Sequence, residues 1–169
     1  MKKTEKAKRL IVISLDAVGK TDLKRMEAMP NFSRFFKRAA VCRDVESVYP
    51  SLTYPAHASI VTGRYPKNHG IVNNLRFQPG REHPDWFWQR RFINGATFYE
   101  EAEKRGLKTA AFLWPVTGGA KISYNLPEIW ANRPWQNQIM VSLMNGTLRF
   151  QWEVFSKFGA MLDVVKQPA

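Results

Sequence analysis

The sequence predicts an α/β domain built on a mostly parallel sheet with helices on both faces. Three observations carry that prediction. Leu10, Ile11, Val12, Ile13, Ser14 and Leu15 form an apolar, β-branched run without the polar alternation of a half-exposed strand. Runs of this kind alternate with helical periodicity in the order strand, helix, strand, helix, helix, strand, which suits parallel strands joined by right-handed crossovers. With 169 residues, 44% of them hydrophobic, the chain has apolar material for one packed domain and too little for two.

Asp16 follows the first run directly and so falls at the C-terminal end of the expected strand 10–15. The turn Met29-Pro30-Asn31 precedes Phe32, Phe35, Phe36 and Ala39 at helical spacing, with Arg34, Lys37 and Arg38 on the other side, the pattern of an amphipathic helix. Residues 41–48 read as a second strand. Pro50 and Pro55 force a loop between them and favour a new helix over residues 56–62, closed by Gly63. From Arg64 to Arg91 no period is sustained, and the stretch reads as irregular surface. A helix over residues 97–104, ended by Gly106, leads into the apolar run 108–114 and an exit loop at 115–119.

Two further helices are expected where Ile139, Met140, Leu143 and Met144, and then Trp152, Phe155 and Phe158, recur. Such a stripe of methionines and aromatics is usually core. Met161 to Val165 continues the apolar pattern, and the chain stops where a further strand is expected, so its end reads as a cut.

Twenty-six Lys and Arg against fourteen Asp and Glu give a net charge of +12, which attracts anionic partners at long range. Lys2, Lys3, Lys6, Lys8 and Arg9 before the first apolar run imitate a leader, but the run is short, ends in Asp16 and lacks a small-residue cleavage site. No stretch is long and apolar enough for a membrane span. Cys42 is the single cysteine, which excludes an intrachain disulfide and favours a cytoplasmic setting.

In open parallel sheets, ligands collect beyond the carboxyl ends of strands. Asp16 and Thr53 fall at such places. A metal ion between them would acidify the Thr53 hydroxyl and stabilise charge on a phosphoryl oxygen. Unpaired N–H groups at the start of the next helix would add phosphate donors. Equally open, and the commoner use of a threonine before a proline-initiated helix, is a simple N-cap.

A resemblance extends this reading. Leu10-Ile11-Val12-Ile13-Ser14-Leu15-Asp16, Met29-Pro30-Asn31-Phe32 and Tyr49-Pro50-Ser51-Leu52-Thr53-Tyr54-Pro55-Ala56-His57 together resemble the opening of the nucleotide pyrophosphatase/phosphodiesterases, within the alkaline phosphatase superfamily. The stretch from Ile60 to Asn74 is similar to that family's segment beyond the nucleophile: Thr62-Gly63, Tyr65-Pro66, His69-Gly70 and Asn73-Asn74 stand in register. A weaker match runs from Lys108 to Pro115.

The resemblance implies an alkaline-phosphatase-like sheet, incomplete in this chain, and a site with two divalent metal ions, Zn2+ by the family's habit. Asp16 and Thr53 would ligate one of them. Thr53 would attack phosphorus to form a phosphothreonine intermediate, and Tyr54 and Asn74 would contact a small phosphate-ester substrate. Nucleic acid is the disfavoured partner. Two departures stand out. Ala56 replaces an asparagine usual in nucleotide-cleaving members, and the family's downstream Asp and His ligand motifs have no counterpart among His57, His69 and His83. For His57 and His69, structural hydrogen bonding is the expected role. Two alternatives remain beside the diesterase. One is a superfamily hydrolase acting on phosphonates, phosphomonoesters or sulfate esters. The other is a noncatalytic basic nucleic-acid-binding module using Trp86, Trp88, Arg90 and Arg91.

Overall fold

The computed structural model describes residues 9–159, so the apolar stretch 161–165 lies outside the described residues. The chain divides into two compact units, Met1–Glu46 and Ser47–Ala169.

In the first unit, helix α1 spans Lys20–Ala28. Its start is fixed by Asp22, whose carboxylate accepts the Gly19 N–H at 2.9 Å and meets the positive end of the helix dipole. Met29, extended because Pro30 comes next, ends α1 and opens α2, Pro30–Phe36. Proline suits that first helical position because its missing N–H would have no intrahelical partner there. Phe32 and Phe36, one turn apart, stack with centroids 6.2 Å apart. The expected helix is therefore present, three residues shorter at its end, and α1 is an addition. Ion pairs of Lys20 with Asp44 (2.8 Å) and of Arg43 with Glu27 tie the segment after α2 to α1.

The expected strands 10–15 and 41–48 are corrected here. Neither is a strand or forms a ladder among the described residues. Leu10, Ile11 and Ile13 are 84%, 80% and 77% exposed. A continuous apolar run becomes a buried parallel strand only where neighbouring strands take its backbone bonds and helices cover both faces. Two short helices do neither for this unit.

The second unit holds α3 (Thr53–Thr62), α4 (Pro66–His69), a 3-10 turn (Arg90–Phe92), α5 (Phe98–Lys104), β1 (Ala110–Phe112), β2 (Tyr124–Leu126), α6 (Gln138–Asn145) and α7 (Leu148–Phe158). β1 and β2 pair in parallel, with Ala110 opposite Tyr124 and Phe112 opposite Leu126. The fold is thus α/β, with a two-stranded parallel sheet and seven α-helices among the described residues. Asn125 turns its backbone away from β1, donating to Thr147 Oγ1 (3.1 Å) and accepting the Thr147 N–H (2.9 Å). The link between α6 and α7 therefore caps this edge.

Glu103, near the end of α5, stitches that helix to the sheet. Its carboxylate accepts the N–H and hydroxyl of Thr109, just before β1, at 3.0 and 2.6 Å. It also accepts the N–H and hydroxyl of Ser123, just before β2, at 2.9 and 3.0 Å. These donations, from Thr109 first and then Ser123, lower its pKa from 4.5 to about 2. At the other end of α5, the Thr97 hydroxyl donates to Glu100, which also accepts the Thr97 N–H, a capping arrangement that sets the start of the helix.

Residues 64–91 are not the irregular surface expected. Ile71 and Trp88 belong to the core with Tyr54, Ala58 and Val61 of α3, because an aperiodic segment buries side chains without leaving a pattern. Asp85 is what orders it. Its carboxylate takes donations from Gln78, Arg81, Asn132 and Arg133. The stripe on α6 and α7 is corrected in the opposite sense: Met144, Trp152 and Phe158 are 78%, 69% and 81% exposed. Val154 and Gln151 form the face that α7 buries.

Candidate active site

Helix α3 begins three residues earlier than expected, and that shift removes the N-cap reading of Thr53. Leu52 is the N-cap, with extended backbone at φ −94 and ψ 158, and its carbonyl accepts the Ala56 N–H at 3.0 Å. Thr53 is the first helical residue and is half-buried. The N-cap role is therefore taken by the backbone of a residue with no polar side chain, and the Thr53 hydroxyl is not the cap.

The first turn is short of donors. Tyr54 gives its N–H to Asn74 Oδ1 at 2.9 Å, Pro55 has none, and the Ala56 N–H closes the first intrahelical bond. The cradle of N–H groups expected at the start of this helix is largely committed within the protein. Tyr54 and Asn74, both named with Thr53 from the sequence, are brought together by this bond. The Tyr54 ring lies in the core, fully buried, edge-on to Trp86 with centroids 5.3 Å apart. Burial, and then the neighbouring Glu128 carboxylate, push its phenol well above the ordinary tyrosine range. Asn74 is half-buried and opens a hairpin in which Phe87 donates to Asn74 O at 2.9 Å and Arg76 donates to Asp85 O at 2.7 Å.

The C-terminal end of β1 faces the same helix. Trp114, two residues past the strand, meets the His57 ring edge-on at 5.0 Å, while His57 Nδ1–H donates to the Thr53 carbonyl at 2.7 Å. The turn that carries Trp114 is strained, since Leu113 (φ 50) and the β-branched Val116 (φ 59) both adopt left-handed backbone. It is held by the Thr117 hydroxyl on Trp114 O (2.6 Å) and by Asn125 Nδ2 on Thr117 O (2.7 Å). Sequence reasoning missed Trp114, whose only signal was its place at a strand's carboxyl end.

His69 is a structural residue, as expected. Fully buried, it accepts the Ile71 N–H on Nδ1 (3.1 Å) and donates from Nε2 to Ser59 Oγ (2.9 Å). Both nitrogens are committed, and burial holds its pKa below 6.5.

Asp16 lies in the first unit and Thr53 in the second. Among the described residues no group of three His, Cys, Asp or Glu side chains gathers as a metal-holding cluster. One carboxylate and one hydroxyl fall short of the four donors zinc takes, so the two-metal centre does not fit the described residues alone. In the basic and aromatic group suggested for nucleic acid, Trp86 and Arg90 are half-buried and Arg91 is exposed. Trp88 is buried, and the Arg90 guanidinium is occupied by Ile93 O (2.8 Å), Gly95 O (2.7 Å) and Glu100 (2.6 Å). Among the described residues no helix is long and apolar enough to cross a membrane.

Comparison with known proteins agrees with the motifs. Human ectonucleotide pyrophosphatase/phosphodiesterase family member 1 is 29% identical over 132 residues, covering 68% of this chain and 13% of that protein. A venom phosphodiesterase of Macrovipera lebetinus is 29% identical over 133 residues, covering 72% and 15%. An uncharacterised pyrophosphatase/phosphodiesterase of Schizosaccharomyces pombe is 32% identical over 118 residues, covering 63% and 23%. The chain spans under a quarter of the length of these curated relatives. The family model described as type I phosphodiesterase / nucleotide pyrophosphatase matches residues 10–168, nearly the whole chain, and on that match the chain belongs to this family.

Proposed function

We propose that this chain carries the nucleophile-bearing part of a metal-dependent hydrolase that cleaves phosphodiester or pyrophosphate bonds in nucleotide-like substrates. The observation that supports the reading is Thr53 as the first residue of α3, in a turn whose Tyr54 N–H is bonded to Asn74 and whose His57 meets Trp114 just past β1. The Thr53 oxygen attacks phosphorus, a Thr53–phosphorus ester forms, and the leaving group departs with the bridging oxygen and a proton. Water then attacks the same phosphorus and returns Thr53 to its hydroxyl form. Asn74 positions this turn through the Tyr54 N–H, and the Tyr54 ring anchors it in the core. Divalent metal, zinc by the family resemblance, belongs to the proposal, with Asp16 and Thr53 as donors and the others supplied from outside the described residues. An alkaline-phosphatase-like sheet and a cytoplasmic setting, the latter resting on the single Cys42, complete it.

Ala56 favours a second reading. It sits in the first turn of α3, where an asparagine amide would serve a phosphate oxygen, so a phosphomonoester, phosphonate or sulfate ester is the alternative substrate.

The test is acid-quench mass spectrometry of a protein that carries this chain together with the remaining metal donors, with zinc and a nucleotide p-nitrophenyl ester, beside release of p-nitrophenol from diester and monoester. A covalent adduct on Thr53, absent in Thr53→Ala and after chelation, is expected. Undiminished turnover by Thr53→Ala would sink the assignment.

A further inference from the structure

The hairpin that begins at Asn74 gathers more positive charge than it neutralises. Asp85 is the centre of the cluster. Its Oδ1 accepts Asn132 Nδ2 (2.9 Å) and Arg133 Nη2 (2.7 Å), and its Oδ2 accepts Gln78 Nε2 (3.1 Å) and Arg81 Nη1 (3.3 Å). Burial works to raise this carboxyl, but donations from Asn132, Arg133 and Gln78 and the charge of Arg133 outweigh it and hold it below the usual range. The carboxylate is thus ionised and saturated.

Arg76 arrives late to this arrangement. Its Nη1 stands 3.6 Å from Asp85 Oδ2, an ion pair too long for a hydrogen bond, and its guanidinium lies over the Phe92 ring at 4.7 Å. Arg91 shares that ring at 5.1 Å. Arg76 and Arg81 converge on one oxygen, which sets two like charges side by side. Their side chains are 35% and 30% exposed. The exposed Glu82 is the other carboxylate of this turn. Against Arg76, Arg81, Arg91 and Arg133, the two acids leave a surplus of guanidinium charge on a preordered, half-buried frame. Such paired forks match the oxygens of a tetrahedral oxyanion.

We propose that Arg76 and Arg81, aligned by Asp85 and Phe92, form a binding site for multiply charged phosphoryl oxyanions, separate from Thr53. The anion bridges the two guanidiniums and relieves their mutual repulsion. Free pyrophosphate and a phosphoryl group carried on a larger molecule present the same chemistry.

Isothermal titration of the chain with inorganic pyrophosphate, and in parallel with a nucleoside diphosphate, tests this. One saturable site is expected, weakened by salt. Arg76→Gln and Arg81→Gln, each folded by circular dichroism, should lower pyrophosphate affinity about tenfold or more. Lys157→Gln, which removes the same charge from α7, and Thr53→Ala should leave it unchanged. Equal affinity for both ligands identifies the free oxyanion as sufficient, and tighter nucleoside diphosphate binding identifies a carried phosphoryl group. The proposal is overturned if no saturable binding appears, if Lys157→Gln weakens it equally, or if the two arginine variants bind as the parent does. Loss of binding in Thr53→Ala would place the anion at the reaction site instead, and would leave the proposed function standing.

Discussion

Ser59 and His69 meet at 2.9 Å across the gap between α3 and α4, inside the core. Because Ile71 N–H occupies the other ring nitrogen, the imidazole is held neutral, with its proton on Nε2.

That arrangement makes stability depend on pH. Burial lowers the folded pKa of His69 below 6.5, so the unfolded chain binds this proton more readily. The stabilisation is complete above the unfolded value and is lost as pH falls below it. Between about pH 7 and about pH 5 the urea midpoint should drop. In His69→Gln the protein should be less stable throughout, and its midpoint should vary less over that window. Parallel pH curves for parent and variant would contradict the buried neutral histidine.

Asn74→Ala leaves the Tyr54 N–H at the head of α3 without its acceptor. A loss of about 1 kcal/mol is expected, seen as a melting temperature lower by about 2–4 °C. Asn74→Asp keeps an acceptor oxygen at the positive end of the helix and should lose less. Thermal unfolding followed by circular dichroism separates the two variants, and an Asp variant as weak as Ala would deny this bond its role.

Glu103 gathers four donors from the residues that precede β1 and β2. Its folded pKa is depressed from 4.5 to about 2, so its contribution is present above the unfolded value and disappears as pH falls between those limits. Glu103→Gln should cost about 1–2 kcal/mol at neutral pH and flatten the acid limb of the stability curve. Urea titrations over that range provide the check.

Arg90→Lys tests whether charge alone suffices beneath α5. The guanidinium fork reaches Ile93 O, Gly95 O and Glu100 together, whereas an ammonium is a single point that satisfies fewer of them. A loss of about 1–2 kcal/mol in denaturant unfolding is expected despite the retained charge. An unchanged midpoint would mean that the ion pair outweighs the fork.

Local rules were readable in the sequence, and long-range ones were not. Gly63 ends α3 in the left-handed conformation (φ 64), as its place after Thr62 implied. The helix expected over residues 97–104 is α5, Phe98–Lys104. By contrast, β2 is three residues whose strand character comes from β1 on one side and Thr147 on the other. Asp85 sits between Pro84 and Trp86 with no local pattern, and its donors lie as far away as Asn132 and Arg133. The runs 10–15 and 41–48 had the composition of strands without neighbours to make them so. Within the site, residue types and the family resemblance singled out Thr53, Tyr54 and Asn74. The contact of His57 with Trp114 required coordinates, because fifty-odd residues separate the pair and no periodicity links them.

The uncovered side of α6 and α7 bears on how this protein should be assayed. Met144, Trp152 and Phe158 stand in solvent beside a cavity of about 220 Å³ lined by Leu143, Trp130 and Phe155, among others. A fluorescent dye that seeks greasy surface should glow on the native chain before any heating. Bright starting signal in a dye-based melt, ordinarily taken as the mark of a loosened protein, would here report an ordered one, and quality control should rest on near-ultraviolet dichroism instead.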